Sequence, residues 1–498
     1  MQQMQLAEAC SRMLTAKCKG NEHTVVTGLA MDSRDVKQGD LFFCISGTAE
    51  DGHRYAEQAV QAGAAALVVE RELDLQVPQL IVKSARHALA VLSDAFYGSP
   101  SRALNLIGIT GTNGKTTTTY LIEKILNDAK RKAGVIGTIQ MRYAGKVFPM
   151  SRTTPNAFEL QKSLHDMVNE GVDSVAMEVS SHALVQGRVQ GCRFRTAVFT
   201  NLTQDHLDYH ETMEAYREAK GLLFSRLGNT FSDVEAERSY AVLNGDDPSS
   251  EYFSSITTAE TIKYGMFEQA DVRAENIRIT SKGTSFTVHT FKGSLDIQLR
   301  MVGKFNVYNA LAAVAVGLIE GIELEAIRDS LQSVPGVDGR VEAVEAGQSF
   351  AVIVDYAHTP DGLENVLQTV KEFAEGRVIS VFGCGGDRDR TKRPLMGKIS
   401  ARYADYSIVT SDNPRTEDPD LIIKDIVEGL HEVKLDPSRY ECIVDRHAAI
   451  TKAIEMASPH DVVLIAGKGH ETYQIIGKET FDFDDRLVAK EAIRGIVQ

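Results

Sequence analysis

Residues 105–119 are suited to binding phosphate groups, because they combine an apolar run, a glycine-rich turn, a lysine and four consecutive threonines. This order is typical of a β-strand, a phosphate-binding loop and an α-helix. Backbone N–H groups of the loop can converge on phosphate oxygens, and the helix N-terminus adds the positive end of its dipole. The Lys115 ammonium can reach β- and γ-phosphates, and the Thr116 hydroxyl can ligate Mg²⁺. The predicted nucleotide-binding loop consists of Gly111, Thr112, Asn113, Gly114, Lys115, Thr116 and Thr117.

The loop departs from the strict pattern G-x-x-x-x-G-K-[ST] at one position. The first glycine of that pattern would fall at Ile109, whereas the chain has glycines at 108 and 111. A ligand-free turn between a strand and a helix is the alternative interpretation. The Gly-Lys-Thr-Thr sequence that opens the helix favours phosphate binding.

Length, charge and cysteine content narrow the class of protein. A chain of 498 residues predicts two to four domains. Its net charge of −14 argues against nucleic acid as the main partner. We find no signal-peptide pattern and no apolar run near the roughly 20 residues of a membrane span. Six cysteines without a C-x-x-C pair predict reduced thiols, so we expect a cytoplasmic protein.

Alternating strands and helices between residues 105 and 335 predict a mainly parallel sheet. Strands are expected at 132–139, 173–180 and 196–202, and a helix with Thr154 as its N-cap and Pro155 in its first turn. Polar groups gather at the C-terminal ends of these strands, where ligand sites of open α/β sheets lie. Glu178 stands inside an apolar strand, where an unpartnered carboxylate is costly. Mg²⁺ would stabilise it, and a buried basic partner is the alternative.

Further strands are expected on either side of this region. Before residue 105, strands are predicted at 41–45 and 64–69, with a helix at 55–62 between them. Residues 240–300 predict an antiparallel extension of the central sheet, and residues 336–340 a hinge. Strands at 350–355, 378–382, 406–410 and 461–466 predict a C-terminal Rossmann-like α/β domain. The glycine-rich run from Gly383 fails the dinucleotide fingerprint, because Arg388 occupies the third glycine position.

Arg415 ends the polar sequence Asp412-Asn-Pro-Arg, which follows one of these predicted strands. A guanidinium is suited to two-pronged recognition of a carboxylate. The alternative is that Arg415 braces its own loop against Asp412 or Glu417.

The chain resembles the Mur ligases, the ATP-dependent amide ligases of peptidoglycan synthesis, over essentially its whole length. Besides the phosphate loop, the resemblance rests on Asp32-Ser-Arg, Thr153-Thr-Pro, Glu178-Val-Ser-Ser-His, Asn201-Leu-Thr-Gln-Asp-His, Ala219-Lys, Asn306-Val-Tyr-Asn, Asp355-Tyr-Ala-His and Gly467-Lys-Gly-His-Glu. It implies a three-domain α/β fold with a central phosphate-loop ATPase domain. Residues 1–104 would bind the UDP-sugar, 105–335 would bind and hydrolyse ATP, and 336–498 would bind the amino acid.

The resemblance also implies site residues. The substrate UDP-MurNAc-L-Ala-D-Glu would contact Ser33, Thr153, Thr154, Ser180, Gln186 and Arg188, with the loop 48–50 facing its uridine end. Beyond the loop, ATP would contact Asn309, Arg340 and His358. Magnesium would be served by Thr116, Glu178, His206 and Lys220, with Lys220 carrying a carbamate formed from CO₂. Lys115, His206 and Lys220 would be the catalytic residues.

The second substrate is implied by Asp412-Asn-Pro-Arg415, which is similar to the amino-acid-selecting motif of Mur ligases that add meso-diaminopimelate. Lysine-adding relatives typically lack that arginine. The diaminopimelate contacts would be Arg388, Asp412, Asn413, Pro414, Arg415, Gly467 and Glu471. Without the resemblance, Lys220 is predicted to be an ordinary lysine on a helix surface.

The implied reaction is formation of an acyl phosphate followed by attack of an amine, and the expected oligomeric state is a monomer. Three alternatives stay open: a lysine-adding Mur ligase, a ligase similar to folylpolyglutamate synthetase, and a phosphate-loop switch or binding module without ligase activity.

Overall fold

The computed structural model describes residues 2–47, 50–150, 152–229, 231–267, 269–280 and 283–497. Thr48 and Ala49, in the loop expected to face uridine, lie outside the described residues. No helix in the described part of the chain is long and apolar enough to cross a membrane. All six cysteines are free thiols, as predicted.

The first hundred residues form a small α/β layer. Its strands are β1 (Met4–Gln5), β2 (Lys17–Lys19), β3 (Val25–Val26), β4 (Gly28–Ala30), β5 (Asp40–Phe43), β6 (Ala66–Val69) and β7 (Gln79–Ile81). Its helices are α1 (Leu6–Ser11), α2 (Ala56–Gln61) and α3 (Ala85–Phe96), with 3₁₀ turns at Gly52–Tyr55 and Pro100–Arg102. The sheet order is β2-β7-β6-β5-β4, with β4 to β7 parallel. The two predicted strands are β5 and β6, which are fully buried because their apolar residues face both sides of the sheet.

The phosphate loop lies in the next segment, between a buried strand and a helix. The strands are β8 (Asn105–Thr110), β9 (Ala133–Ile136), β10 (Gln140–Tyr143), β11 (Lys146–Pro149), β12 (Ser174–Glu178) and β13 (Thr196–Phe199). The helices are α4 (Lys115–Asp128), α5 (Ala157–Asn169), α6 (Ser181–Val185), α7 (Leu207–His210) and α8 (Met213–Phe224), with a 3₁₀ turn at Glu235–Glu237. Strands β9 and β12 pair in parallel, while β10 and β11 form an antiparallel hairpin.

The prediction of an N-cap at Thr154 is wrong. Helix α5 begins at Ala157 and is capped by Asn156, whose backbone N–H donates to Glu159 at 3.0 Å in a capping box. This reciprocal pair satisfies two exposed N–H groups of the helix start, which a cap at Thr154 could not do. The Thr154 hydroxyl instead donates to the Glu178 carbonyl oxygen at 2.9 Å.

Residues 240–335 add strands and two long helices. The elements are β14 (Tyr240–Asn244), α9 (Ser249–Ile256), β15 (Glu260–Gly265), β16 (Val272–Thr280), β17 (Gly283–Thr290), β18 (Gly293–Leu299), α10 (Lys304–Ile319) and α11 (Leu324–Ser333). Strands β16, β17 and β18 are antiparallel, as predicted, whereas β14 and β15 continue the parallel pattern. Helix α10 is apolar on nearly all sides because it packs against α4 and the strands β14 to β17.

The C-terminal segment has the predicted Rossmann-like topology. Its strands are β19 (Glu342–Ala343), β20 (Ala351–Asp355), β21 (Val378–Phe382), β22 (Tyr406–Thr410), β23 (Tyr440–Ile443), β24 (Val462–Ala466), β25 (Tyr473–Ile476) and β26 (Glu479–Asp482). Its helices are α12 (Pro360–Phe373), α13 (Lys392–Tyr403), α14 (Pro419–Glu432), α15 (Arg446–Glu455) and α16 (Asp485–Val497), with a 3₁₀ turn at Pro437–Arg439. The sheet order is β19-β20-β24-β21-β22-β23, and all pairs except β19–β20 are parallel. Apolar clusters cover both faces of this sheet.

The chain divides into two compact units, which are described separately below. The first comprises residues 2–108, 130–197 and 226–239 of the described chain. The second comprises residues 109–129, 198–225 and 240–497. The domain limits 1–104, 105–335 and 336–498 stay predictions.

Candidate active site

The phosphate loop of the second unit is held open by backbone and side-chain hydrogen bonds. The N–H groups of Thr112 and Asn113 donate to the Asn201 carbonyl and side-chain oxygens, both at 2.9 Å. The Thr200 hydroxyl donates to the Asn113 carbonyl at 2.6 Å. Since Thr200 and Asn201 follow strand β13, the strand end fixes the shape of the loop.

Two glycines of the loop are required by close approach of its neighbours. Gly111 and Gly114 have φ angles of +149° and +83°. A Cβ atom at Gly111 would lie 1.9 Å from the Thr200 hydroxyl oxygen, and one at Gly114 would lie 2.4 Å from the Asn309 amide oxygen. A side chain at either position would collide with its neighbour, so the loop needs glycine at 111 and at 114. This holds although the loop departs from the spacing of the G-x-x-x-x-G-K-[ST] pattern.

The Lys115 ammonium folds back over the loop. It donates to the carbonyl oxygens of Gly111 and Thr112 at 2.9 and 2.7 Å. Helix α4 begins at Lys115, so this ammonium and the first N–H groups of the helix lie at the same end. That arrangement provides positive charge and donors for phosphate oxygens.

Three further residues predicted to contact the nucleotide lie around this helix start. The Arg340 guanidinium donates to the Thr116 hydroxyl at 3.2 Å, and Asn309 accepts from the Thr118 hydroxyl at 3.3 Å. The His358 imidazole is held through Nδ1 by the Tyr356 carbonyl at 2.8 Å. Burial and the nearby Lys392 ammonium lower the pKa of His358 to about 4, so the ring is neutral at pH 7.

Lys220 is buried beneath the phosphate loop, not exposed on a helix surface. Its side chain is 1% exposed, and its Nζ donates to the Gly111 carbonyl at 2.8 Å. The ammonium also lies 4.3 Å from the centre of the Tyr216 ring. Burial and the Lys115 charge lower the pKa of Lys220 well below its ordinary value.

The sequence does contain a signal for this burial. The buried residues of α8 are Tyr216, Ala219, Lys220, Gly221, Leu223 and Phe224. Positions 216, 219, 220 and 223 follow the i, i+3, i+4, i+7 spacing of one helix face. Lys220 therefore lies on the apolar face of the helix, where a fully buried lysine is rare unless its ammonium is paired.

His206 lies in the same unit, next to the buried carboxylate of Asp205, which belongs to the same polar sequence Asn201-Leu-Thr-Gln-Asp-His. The His206 Nε2 atom lies 3.3 Å from Asp205, whose carboxylate is also 3.7 Å from the Lys392 ammonium. Burial alone would raise the pKa of Asp205, but Lys392 and the adjacent histidines lower it well below the usual range. Asp205 therefore links the 201–208 loop to helix α13 as an ionised carboxylate.

The remaining predicted metal ligand, Glu178, is in the first unit. It ends strand β12, is 1% exposed, and accepts from the Thr138 N–H and hydroxyl groups, each at 2.9 Å. No basic side chain within the described ranges pairs with it, so the alternative of a buried ion pair is wrong. The described residues contain no cluster of three acidic, histidine or cysteine side chains that could hold a metal ion.

The predicted muramoyl-peptide residues surround Glu178 and a cavity. The Thr154 hydroxyl accepts from the Ser180 N–H at 3.1 Å, and the Thr153 hydroxyl accepts from Thr138 at 3.1 Å. A cavity of about 770 Å³ in the first unit has Ser33, Gln186 and Arg188 among its lining residues. The Arg188 guanidinium donates to the Thr154 carbonyl at 2.9 Å and to Gln186 at 2.7 Å, so the cavity and the 153–154 turn are connected.

The residues predicted to bind an amino acid meet at the C-terminal ends of β22 and β24. Asn413 donates to Glu471 at 3.0 Å, and a Cβ atom at Gly467 would lie 2.8 Å from the Asp412 carboxylate. Burial and the Asp412 charge raise the pKa of Glu471, while Lys468 and Arg446 outweigh burial and lower that of Asp412. The Arg388 side chain is exposed, and Pro414 is buried.

Arg415 does not brace its loop through a carboxylate. Its Nη1 atom donates to the Gly386 and Asn413 carbonyl oxygens at 2.8 and 3.4 Å. Its backbone has φ of +51° and is held by strand β25, since the Arg415 N–H donates to Ile475 at 3.1 Å. No carboxylate in the described part of the chain forms an ion pair with it. The Arg415 guanidinium is therefore held by backbone carbonyl oxygens and not by an acid of its own loop.

Comparisons with known proteins show the family of this chain. Three family models match: Mur ligase family, catalytic domain at residues 25–97; Mur ligase middle domain at 109–317; and Mur ligase, glutamate ligase domain at 339–469. Together they cover most of the chain.

The chain belongs to the Mur ligase family. Two relatives named UDP-N-acetylmuramoyl-L-alanyl-D-glutamate–2,6-diaminopimelate ligase are 52% identical in Bacillus cereus and 54% identical in Geobacillus thermodenitrificans. The first alignment covers 95% of both proteins, and the second covers 94% of this chain and 95% of the relative. A solved structure of a ligase with the same name has a TM-score of 0.68 and 32% identity over 100% of both chains.

Members of the Mur ligase family are ATP-dependent ligases with a three-domain architecture, and so is this chain. In this Mur ligase the sequence interpretation assigned no role to several buried cations around the site. Among them are Lys392, Arg446 and Lys468, which are 4%, 1% and 0% exposed. The burial of Lys468 could have been inferred, because it lies between two glycines immediately after an apolar strand.

Proposed function

We propose that this Mur ligase adds meso-2,6-diaminopimelate to UDP-MurNAc-L-Ala-D-Glu with hydrolysis of ATP, as a step of peptidoglycan precursor synthesis. The similarity to diaminopimelate ligases over 94–95% of the chain supports this activity. The structural observation that carries it is the Arg415 guanidinium, which interacts electrostatically with Glu471 and forms an ion pair with no described carboxylate. Such a pair of groups can recognise an ammonium and a carboxylate on one carbon.

Each of the three domains would bind one ligand. Residues 1–104 and the adjoining cavity would hold the UDP-sugar, with Ser33, Gln186 and Arg188 toward its peptide side. Thr153, Thr154 and Ser180 would hold the peptide end. Residues 105–335 would bind ATP, and residues 336–498 would bind diaminopimelate. We expect the enzyme to act as a monomer, which light scattering can test.

The ATP contacts would come from the loop 111–117 together with Asn309, Arg340 and His358. Lys115 now caps two loop carbonyls, and the same ammonium can turn toward the β- and γ-phosphates. Arg340 already reaches Thr116, so its guanidinium can approach the same phosphates.

The residues proposed for magnesium sites are the Thr116 hydroxyl, His206 and a carbamate on Lys220 in the second unit, and Glu178 in the first. The oxygen donors suit Mg²⁺, and Glu178 lacks a basic partner among the described residues that would compete for it. Bound Mg²⁺ would offset the charge of the phosphates.

A carbamate on Lys220 is supported by the surroundings of the amine. A lysine must be neutral to add CO₂, and burial beneath the loop lowers the pKa of Lys220 well below its ordinary value. The carbamate would replace an amine by a carboxylate-like group, which magnesium prefers.

The reaction would proceed in two steps. The D-glutamyl γ-carboxylate attacks the γ-phosphate of ATP, giving an acyl phosphate and ADP, while Lys115 stabilises the developing charge. The diaminopimelate amine then attacks the acyl carbon, and the tetrahedral intermediate releases phosphate. The residues Arg388, Asp412, Asn413, Pro414, Arg415, Gly467 and Glu471 would hold the amine in position, which supplies effective molarity.

A ligation assay tests this proposal directly. The purified protein is given ATP, UDP-MurNAc-L-Ala-D-Glu and an equimolar mixture of meso-diaminopimelate and lysine, and the products are identified by mass. The diaminopimelate product should predominate. A lysine product would indicate a lysine-adding ligase. ATP hydrolysis that depends on neither substrate would indicate a switch or binding module. If no product forms here but a parallel assay with a folate and glutamate gives one, the protein is a folylpolyglutamate synthetase-like enzyme.

Replacing Arg415 should reduce selection of diaminopimelate more than catalysis. In Arg415→Ala, the KM for diaminopimelate should rise steeply, because the substrate carboxylate loses its two-pronged donor, with a smaller effect on the KM for ATP. The preference over lysine, on the order of 10⁴ at sites of this kind, should largely disappear. The measurement is kcat/KM for diaminopimelate and for lysine.

The control for Arg415→Ala is Arg402→Ala, which removes an exposed guanidinium from helix α13 of the same domain. Arg402→Ala should leave kcat/KM unchanged for both diaminopimelate and lysine. An unaltered diaminopimelate-to-lysine ratio in Arg415→Ala would mean that Arg415 does not select the substrate.

A further inference from the structure

Lys468 is a fully buried lysine at the centre of the amino-acid site. It follows strand β24, and its side chain is 0% exposed. Its ammonium donates to the Asn413 amide oxygen at 2.8 Å and to the Tyr473 carbonyl at 2.7 Å. Since the Asn413 oxygen is occupied, the Asn413 amide nitrogen is directed to Glu471 at 3.0 Å. Lys468, together with the Ile475 N–H that donates to the same oxygen at 3.0 Å, thus fixes the orientation of a group that would contact the ligand.

The same ammonium is shared by two carboxylates. It lies 3.4 Å from Asp412 and 3.7 Å from Glu471. One Asp412 oxygen is buried with no hydrogen-bond partner, so its charge depends on nearby cations. Arg446 also supports Asp412, but its guanidinium is already paired with Asp485 at 2.7 Å. Lys468 is therefore the main counter-charge of the two acids.

Two further acids near Arg415, Glu417 and Asp387, are likewise held by other groups. Glu417 lies two residues away and pairs with Arg390 at 2.7 Å and with Arg393 at 2.8 Å. Asp387 accepts from the Thr416 hydroxyl at 2.8 Å. Each of these acids is thus held by another group, and within the described residues the Arg415 guanidinium donates to backbone carbonyl oxygens alone.

We propose that Lys468 is a positioning residue for substrate selection: by holding Asp412 and Glu471, it keeps the Arg415 guanidinium available for the distal carboxylate of the incoming amino acid. This inference rests on the proposed function, since it assumes a substrate with such a carboxylate. Lys468 itself need not touch the substrate. Its effect is exerted through Asn413, Asp412 and Glu471.

Removing the Lys468 charge should act mainly on the carboxylate-bearing substrate. Without the ammonium, Asp412 and Glu471 lose their main counter-charge. The Arg415 guanidinium, whose charge interacts with both carboxylates, can then pair with them. The distal carboxylate of diaminopimelate would then find Arg415 already paired, and the negative charges of Asp412 and Glu471 would repel it. Lysine has no carboxylate at that end, so its binding should be affected much less.

The test compares Lys468→Met with Lys468→Arg, which keeps the charge. In Lys468→Met, kcat/KM for diaminopimelate should fall ~10²-fold, mostly through KM, while the KM for ATP stays unchanged. The ratio of kcat/KM for diaminopimelate to that for lysine should fall with it. Lys468→Arg should recover part of the ratio, and Lys424→Met, on the exposed face of α14, should change nothing.

Each outcome decides the proposal. An equal loss for both amino acids, or equal losses in the Met and Arg variants, would show a packing role and overturn it. If Lys468→Met lacks a cooperative melting transition, Lys468→Gln takes its place; if neither neutral variant folds, Lys468 is an ion needed for the fold and the selection role is overturned. Failure of the wild-type protein to ligate diaminopimelate would instead contradict the proposed function.

Discussion

Lys115→Ala is expected to abolish ligation while leaving the fold intact. The ammonium lies over the phosphate loop at the start of α4, where under the proposed function it would offset charge on the transferred phosphate. Charge stabilisation at such sites contributes several kcal/mol, and a loss of about 4 kcal/mol corresponds to ~10³-fold in rate. We therefore expect kcat to fall by about that factor or more, because the charge develops in the transition state.

The substitution should also affect Lys220. The Lys115 charge is one of the two causes that lower the pKa of Lys220. Its removal should raise that pKa, which disfavours the neutral amine that adds CO₂. Excess bicarbonate could favour the carbamate on Lys220, but it should restore little of the activity of Lys115→Ala, because the contact between Lys115 and the phosphate is still absent.

A matched control for Lys115→Ala is available on the same helix. Lys124 is exposed on α4 and pairs with Asp128, an i, i+4 contact that is worth about 0.3–0.5 kcal/mol. Lys124→Ala should retain wild-type activity and a nearly unchanged melting temperature. Turnover near the wild-type rate in a folded Lys115→Ala protein would remove the phosphate loop from the mechanism.

Much of the fold was predictable, because buried parallel strands appear in sequence as short apolar runs. The predicted strands 378–382 and 406–410 coincide with β21 and β22, whose flanking turns contain glycine, aspartate and asparagine. Polar residues that follow such strands, including Asp412 and Glu471, were expected at one edge of the sheet. The structure places them there because the strands are parallel.

The failures arise where long-range contacts decide the role of a residue. Thr154 has the residue type of a helix cap, but its hydroxyl is engaged by Ser180 and by the carbonyl of Glu178, 24 positions away. The use of Lys468 as a counter-charge depends on Asp412, 56 positions earlier in the sequence. Local spacing contains no information about either contact, whereas burial of Lys220 could have been inferred from the periodicity of its own helix.

Lys220→Ala is expected to be nearly inactive and to be partly rescued by a short-chain carboxylate. The substitution removes a buried amine that donates to the phosphate loop and leaves a space beneath Gly111. If the amine carries a carbamate that helps to hold magnesium, its loss should reduce kcat by ~10³-fold, about 4 kcal/mol. Acetate or formate that enters the space would replace the missing oxygen donors.

The modification can be measured without an activity assay. Wild-type protein equilibrated with isotope-labelled CO₂ should give a carbamate signal in carbon NMR that is absent from Lys220→Ala. As the pH falls through the lowered pKa of Lys220, the amine becomes an ammonium that cannot add CO₂, so the signal and the activity should decrease together. Glu218→Ala, at an exposed position of the same helix, serves as the control and should keep both. Full activity in Lys220→Ala, or a carbamate signal that persists in it, would contradict the assignment.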